Sequence, residues 1–479
     1  MLSREQALIN QEGLLKGLEC MATNIDDTKI IAYLATNSCA GNKLSLKDQA
    51  HEFAGNYAVD EIKDITKVEP KKLLRYNLVD CLATWFVFEK HYDTMVKDEQ
   101  LDIYENLMLP SITTIVQVQL TGMCMDMSKV LETEVILKDI HKTHSDGMAN
   151  CSFIKAFELK LQQDKVDSDN LTLKTKQRTL ADVQHIKFNP NSNPQLQSLL
   201  YDVMGLPVLD TTANKQPATG GKTVNKLLNH TKVDEHKVFL EHLIGFIKVD
   251  KILAAFIPTF KKAPLAPDGY HYLFGNFNLG GTVSGRLSSN NPNLQQIPSG
   301  STYAKLIKKC FVAPKGWLFV GADYASLEDR IDALLTKDRN KLKVYTDGYD
   351  GHSLRAFGYF GDHMPDIVDT VESINSIADL YPSYRQDSKA PTFALTYGGT
   401  YMTMMTNLGW DEDKSKSVEG NYQKLYQESM EYKKQRIAEC AGYGYTTVAF
   451  GLRVRTPLLH RVILDSSVTP FAAAAEGRT

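Results

Sequence analysis

The sequence predicts an α+β fold of about three domains, and three observations carry that expectation. At 479 residues the chain is longer than one hydrophobic core sustains. A short apolar run at 318–322 has the length of a buried strand, and the pattern turns helical just after Asp323. Further on, Arg385, Lys389, Phe393 and Tyr397 recur every fourth residue, a helical period. With 43% hydrophobic and 23% charged residues, the composition fits packed cores rather than a disordered chain.

From the N-terminus, residues 25–34 and 44–50 read as short structured elements, and Tyr76 and Asp80 stand one helical turn apart. Residues 101–120 carry an apolar helical pattern that runs into Thr121-Gly122. Residues 129–187 are polar and rich in Lys, Gln and Asp, read as helices with an irregular excursion. Residues 211–223 form a loop whose Gly220-Gly221-Lys222-Thr223 superficially suggests a phosphate-binding P-loop. The first glycine of that motif falls on Gln216, which excludes it. Residues 282–298 are rich in Ser, Asn and Gly and read as a loop, with Arg286 as a donor for nucleic acid or merely for solvent.

Asp323 closes the expected strand at 318–322 and precedes a helix. That place suits a metal ligand, and it equally suits a helix N-cap. In the 385–397 segment, four residues advance about 6 Å and rotate about 40° past a full turn, so the four side chains form a winding stripe about 18 Å long. Two cations precede two aromatics, a layout for a nucleotide's phosphates and then its sugar and base. The same pattern also describes an amphipathic helix with a solvated cationic end and a buried aromatic end.

Seven scattered cysteines, odd in number and without C-x-x-C, indicate reduced thiols, no zinc site and a cytoplasmic rather than secreted setting. No apolar run approaches the roughly 20 residues of a membrane span. The net charge of −3 does not advertise nucleic-acid binding, though an acidic cleft coexists readily with local basic tracks. Such tracks, or solvated faces, are Lys248, Lys251, Lys261 and Lys262, and then Lys305, Lys308, Lys309 and Lys315.

Taken in order, three segments resemble family A DNA polymerases, the group of bacterial DNA polymerase I and its phage relatives. TVSGRLSSNNPNLQQIP is similar to the family's T-x-x-G-R-L-S-S-x-x-P-N-L-Q-x-I-P. DYASLEDR, from Asp323, resembles motif A, and RQDSKAPTFALTYG, from Arg385 to Gly398, resembles motif B on the fingers helix. The resemblance implies a right-hand fold of palm, fingers and thumb, preceded by a partial α/β 3′–5′ exonuclease (ribonuclease H-like) domain. It implies template-directed transfer of a nucleotide from dNTP to a primer 3′-hydroxyl, with two Mg2+ ions, as in DNA replication. The implied domains are 1–98 exonuclease-like, 101–263 N-terminal helix and thumb, 264–345 palm, 350–440 fingers and 441–479 returning palm. The implied partners are primer–template DNA and dNTPs, and the implied location is the cytoplasm, that of the host if phage-encoded.

By the resemblance, Asp323 binds both metal ions and the Tyr324 carbonyl adds a ligand. Tyr324 also lies at the dNTP, and Glu328 is the gate that excludes a ribose 2′-hydroxyl. Arg385, Lys389 and His352 meet the triphosphate, Phe393 lies under the sugar, and Tyr397 stands beside the templating base. Arg286, Asn293, Gln295 and Gly398 contact DNA. Tyr76 and Asp80 match a remnant of the third exonuclease motif, whose first two motifs have no counterpart here, so no proofreading is expected. Two metals need a second palm carboxylate. The family takes it from motif C, a His-Asp-Glu that this sequence lacks; Asp362-His363 is reversed and precedes motif B. The expectation is an incomplete palm, ending in the alanine run 472–475, that works only with a separate C-terminal segment carrying motif C. A non-catalytic primer–template module and a single-subunit RNA polymerase are the alternatives, the latter opposed by Glu328 and Phe393.

Three departures from the pattern are visible. Pro391 sits inside motif B, where it lacks a donor and crowds the carbonyl of Asp387. Gln386 replaces a second arginine of some relatives. Asp329 adds an acid beside Glu328 with no assigned role.

Overall fold

A computed structural model describes residues 24–464, apart from 56–61, 63, 174–176 and 299–301, together with Ala473, Glu476 and Gly477. The alanine run expected to lead toward motif C therefore lies outside the described residues, Ala473 excepted. The chain divides into two units: Met1–Asp126, Ala263–Gly321 and Met430–Thr479 form one, and Met127–Lys262 with Ala322–Ser429 form the other. The fold is α+β, mostly helical. The strands among the described residues form three two-stranded antiparallel sheets.

In the first unit, helix α1 (Thr28–Thr36) starts where the Asp27 carboxylate accepts the Ile30 amide at 2.9 Å, a side-chain cap. Six consecutive residues of α1, Ile30 to Ala35, are buried, so it is a core helix with no solvent stripe. It packs on the long helix α2 (Pro70–Lys97), whose Ala83, Val87 and Met95 face it. Helix α3 (Leu109–Thr121) ends at Gly122, where φ is 66°. A side chain at Gly122 would drive its Cβ to 2.7 Å from the Phe274 ring, so only glycine fits this turn. The chain then enters β1 (Met123–Met125), paired with β2 (His271–Leu273).

Residues 282–298 are not wholly a loop. Strand β4 (Ser288–Asn290) pairs with β3 (Asn276–Asn278), and a 3-10 turn follows at Leu294–Gln296. The polar composition that suggested a loop is tolerated because β4 belongs to a two-stranded ribbon whose outer face is solvated. Strands β5 (Tyr445–Thr447) and β6 (Arg453–Arg455) form the third ribbon.

Among the described residues, every element of the second unit longer than an isolated bridge is a helix. Helix α4 (Met127–Ala149) runs antiparallel to α6 (Asp234–Lys251), with α5 (Ser152–Thr172) packed beside them over a core of Phe157, Leu199, Phe239, Leu240 and Leu243. Then follow α7 (Leu327–Thr336), α8 (Arg339–Thr346), α9 (Gly351–Phe360), α10 (Pro382–Asp387), α11 (Lys389–Thr396), α12 (Tyr401–Leu408) and α13 (Glu412–Leu425).

The strand expected at 318–322 is absent. These residues are irregular and join no sheet, and Leu318 and Val320 are 86% and 91% exposed. An apolar run becomes a strand only when a neighbour accepts its backbone bonds, and no described strand lies alongside. The expected single helix at 385–397 is also two. The backbone stays helical through Ser388, but Pro391 has no amide to give Asp387, and the hydrogen-bond ladder breaks between α10 and α11.

Candidate functional site

Helix α9 organises the candidate residues of the second unit. Asp350 caps its start, accepting the Ser353 amide at 2.9 Å. The same carboxylate receives Arg385 Nε at 2.7 Å and Arg385 Nη2 at 3.2 Å. Burial alone would raise the Asp350 pKa, but the bonds from Arg385 and Ser353 outweigh it and hold the carboxyl well below the usual range. Ser388, the joint between α10 and α11, donates its hydroxyl to the His352 carbonyl at 3.1 Å. Tyr359 and Thr392 hydroxyls meet at 2.7 Å. Thus α9 carries both halves of the broken stripe.

His352 lies in the first turn of α9. Burial first, then the cations of Arg355, Arg385 and Lys389, pull its pKa down against the opposing pull of Asp350, so the ring is neutral at pH 7. Its Nδ1 is buried without a hydrogen-bond partner. An orphaned buried nitrogen is costly, and a ligand hydrogen would relieve it.

The aromatic end of the stripe is not core. Phe393 is 68% and Tyr397 53% exposed, their ring centroids 4.8 Å apart and inclined at 47°. The core contacts of α11 fall instead on Thr392 and Leu395, between the stripe positions. The Tyr397 hydroxyl donates to Glu328 at the start of α7. Lys389 Nζ donates to Gln386 at 2.8 Å. Gly398, at φ 78°, ends the helix in the left-handed conformation and gives its amide to Leu395 O at 3.2 Å. The structure therefore brings together Glu328, Tyr397 and Phe393 on one side and Arg385, His352 and Asp350 on the other.

Asp323 and Tyr324 precede α7 in exposed, irregular backbone. Asp323 is thus neither a strand-end residue nor a cap, since the residue before α7 is Ser326 in a left-handed conformation. Among the described residues, no three His, Cys, Asp or Glu side chains converge as a metal site. One carboxylate and a neighbouring carbonyl fall short of the near-octahedral oxygen set that Mg2+ demands, and the donors present do not fit a two-metal centre.

In the first unit, Arg286 sits on a turn fixed by its own neighbours: the Thr282 hydroxyl donates to Arg286 O at 2.8 Å. Helix α1 and the residue after it hold that turn, with Tyr33 OH donating to Thr282 O at 3.0 Å and Asn37 Nδ2 to Val283 O at 2.9 Å. The Asn293 side chain accepts the Gln295 amide at 3.1 Å and leaves Gln295 exposed. Tyr76 and Asp80 lie one turn apart on α2, with Lys47 Nζ 5.6 Å from the Tyr76 ring centre. Sequence reasoning missed Asp350, Arg355 and the Tyr33–Asn37 brace. Only Asp350, a capping residue before a helical run, left a local signal.

A family model described as DNA polymerase family A matches residues 158–467, more than half of the chain. The chain belongs to DNA polymerase family A. Among curated relatives, this family A chain is 28% identical to DNA polymerase I of Pseudomonas aeruginosa over 59% of its own length and 29% of that protein. It is 24% identical to DNA polymerase I of Bacillus subtilis over 79% of its length and 37% of that protein. Thermostable DNA polymerase I of Thermus aquaticus is 28% identical over 60% of this chain and 32% of its own length. The family A chain thus spans about a third of the length of these relatives. Its fold is similar to that of the POL domain of Pol1 from M. smegmatis, solved in complex with DNA primer-template and dNTP. The TM-score is 0.68 at 20% identity, covering 94% of this chain and 67% of that one.

Proposed function

We propose that this chain serves template-directed DNA synthesis and binds primer–template DNA and dNTP. The observation that carries the reading is the exposure of Phe393 and Tyr397, with Tyr397 bonded to Glu328. Two adjacent exposed aromatic rings make an apolar patch of the kind that ligands use. In this reading Phe393 takes the sugar, Tyr397 the templating base, and Glu328 excludes a 2′-hydroxyl. Arg385, Lys389 and neutral His352 hold triphosphate oxygens by charge and hydrogen bonds. Arg286, Asn293, Gln295 and Gly398 contact DNA. The names palm, fingers, thumb and exonuclease remnant, with the boundaries expected above, belong to this proposal.

In this reading Asp323 and the Tyr324 carbonyl would offer oxygen ligands to Mg2+, whose charge would favour an ionised primer 3′-hydroxyl and a pyrophosphate leaving group. Among the described residues no cluster of carboxylates makes a two-metal centre. Primer extension by the purified protein, with Mg2+ and all four dNTPs, tests the reading. Extension that is abolished by Asp323→Ala supports it. A chain that neither extends nor shifts primer–template in a gel refutes it, and equal use of rNTPs and dNTPs refutes the DNA assignment.

A further inference from the structure

Helix α7 is built inside out. Its apolar side chains Leu327, Ile331, Leu334 and Leu335 are each at least 44% exposed. Asp329 and Asp332 turn inward instead. Asp329 accepts Arg355 Nη2 on both oxygens, at 3.0 and 2.9 Å, and also the Tyr345 hydroxyl from α8. Arg355, on α9, is buried, and its Nε donates to Tyr426 OH at 3.0 Å. One turn further along α7, Asp332 pairs with the buried Lys341. Ala333 and Thr336 are the only residues of α7 counted as buried, so charged contacts, not apolar packing, fix where this helix sits.

An apolar contact can slide, whereas a carboxylate held by donors on both oxygens has a defined direction. Asp329 is the sequence neighbour of Glu328, so whatever fixes Asp329 fixes the start of α7 from which Glu328 reaches Tyr397. The other end of the tie is equally placed. Arg355 lies on α9, whose first turn holds Arg385 through Asp350.

We propose that Asp329 and Arg355 are positioning residues for sugar selection, their ion pair holding Glu328 against Tyr397 at the distance that rejects ribose. This rests on the reading of Glu328 as the sugar gate. Asp332–Lys341 is the internal control, a second inward ion pair on the same helix but further from Glu328.

Single-nucleotide insertion is measured with dNTP and rNTP on the full protein for wild type, Asp329→Asn, Arg355→Lys and Asp332→Asn. The ratio of kcat/KM for dNTP over rNTP falls about 10- to 100-fold in the first two variants, as small misplacements of a positioned group do. In Asp332→Asn it stays at the wild-type value even though the fold is weakened. An unchanged ratio in Asp329→Asn, or an equal fall in Asp332→Asn, overturns the proposal. If wild type inserts nothing, the polymerase reading fails separately, and the tie is read without activity. In protein labelled with 13C at tyrosine Cζ, the Tyr397 signal is assigned by its loss in Tyr397→Phe and shifts in Glu328→Gln. It must shift likewise in Asp329→Asn and not in Asp332→Asn; a Tyr397 signal indifferent to Asp329→Asn overturns the tie.

Discussion

Arg385 and Asp350 grip each other twice, Nε to Oδ2 at 2.7 Å and Nη2 to Oδ1 at 3.2 Å, across 35 residues of sequence. The same Asp350 oxygen that receives Nε also caps α9. One carboxylate therefore begins a helix and orients a cation on another.

Asp350→Ala removes both jobs and is expected to cost about 2–4 kcal/mol, summing a lost cap and a lost charged hydrogen bond. Asp350→Asn keeps the cap and is expected to cost about 1–2 kcal/mol. The native pKa lies below the unfolded value of about 4. The pair's contribution is therefore complete above pH about 4 and fades as pH falls through the lower native value. Urea denaturation of wild type and Asp350→Asn should differ at pH 7 and converge in strong acid.

Exposure separates the ligand face of α11 from its core face. Phe393→Ala should change stability by no more than about 0.5 kcal/mol, as surface substitutions do, and Tyr397→Ala by about 1 kcal/mol because it also gives up its bond to Glu328. Leu395→Ala, 6% exposed, should cost about 2–5 kcal/mol. Fluorescence titration with primer–template and dNTP should rank them oppositely, with the two aromatic variants binding weakest.

Pro391→Ala supplies the missing amide to Asp387 O. Interior proline costs a helix about 3 kcal/mol, and the buried ring gives some of that back in packing. The expected net is a gain of about 1 kcal/mol, with α10 and α11 fused. Amide hydrogen exchange should show new protection at residues 388–391.

Helices α4 and α6 approach through reciprocal glycines. The His242 ring lies where a Cβ on Gly147 would stand, 2.4 Å away, and the His144 ring lies 2.3 Å from a Cβ on Gly245. The two rings meet at their Nδ1 atoms, 3.2 Å apart. Alanine at either glycine gains about 1 kcal/mol in helix propensity but must displace a ring, a cost of about 1–3 kcal/mol. Thermal denaturation should show both single variants less stable than wild type, and Gly147→Ala rescued by His242→Ala.

The candidate site was legible in sequence wherever its chemistry is local. The fourfold spacing of Arg385, Lys389, Phe393 and Tyr397 put them on one stripe, and Pro391 marked where it would break. Their partners were not legible. Asp350 is 35 residues from Arg385, and Asp329 is 26 from Arg355. Neither pair leaves a periodic trace, because a salt bridge between helices depends on how those helices pack. The unpaired state of 318–322 was equally hidden, since an apolar run does not state whether a neighbour exists.

What the sequence determined by itself was the family, the helical character of most segments and the spacing of the residues proposed to meet a nucleotide. These follow from side-chain chemistry at short spacing, which a linear string preserves. Tertiary structure alone decided that Phe393 and Tyr397 face outward while Leu395 faces inward, that α7 turns its acids to the interior, and that Asp350 holds Arg385. Those outcomes come from competition among whole helices for burial and for charge partners, and that competition is settled only when the helices pack.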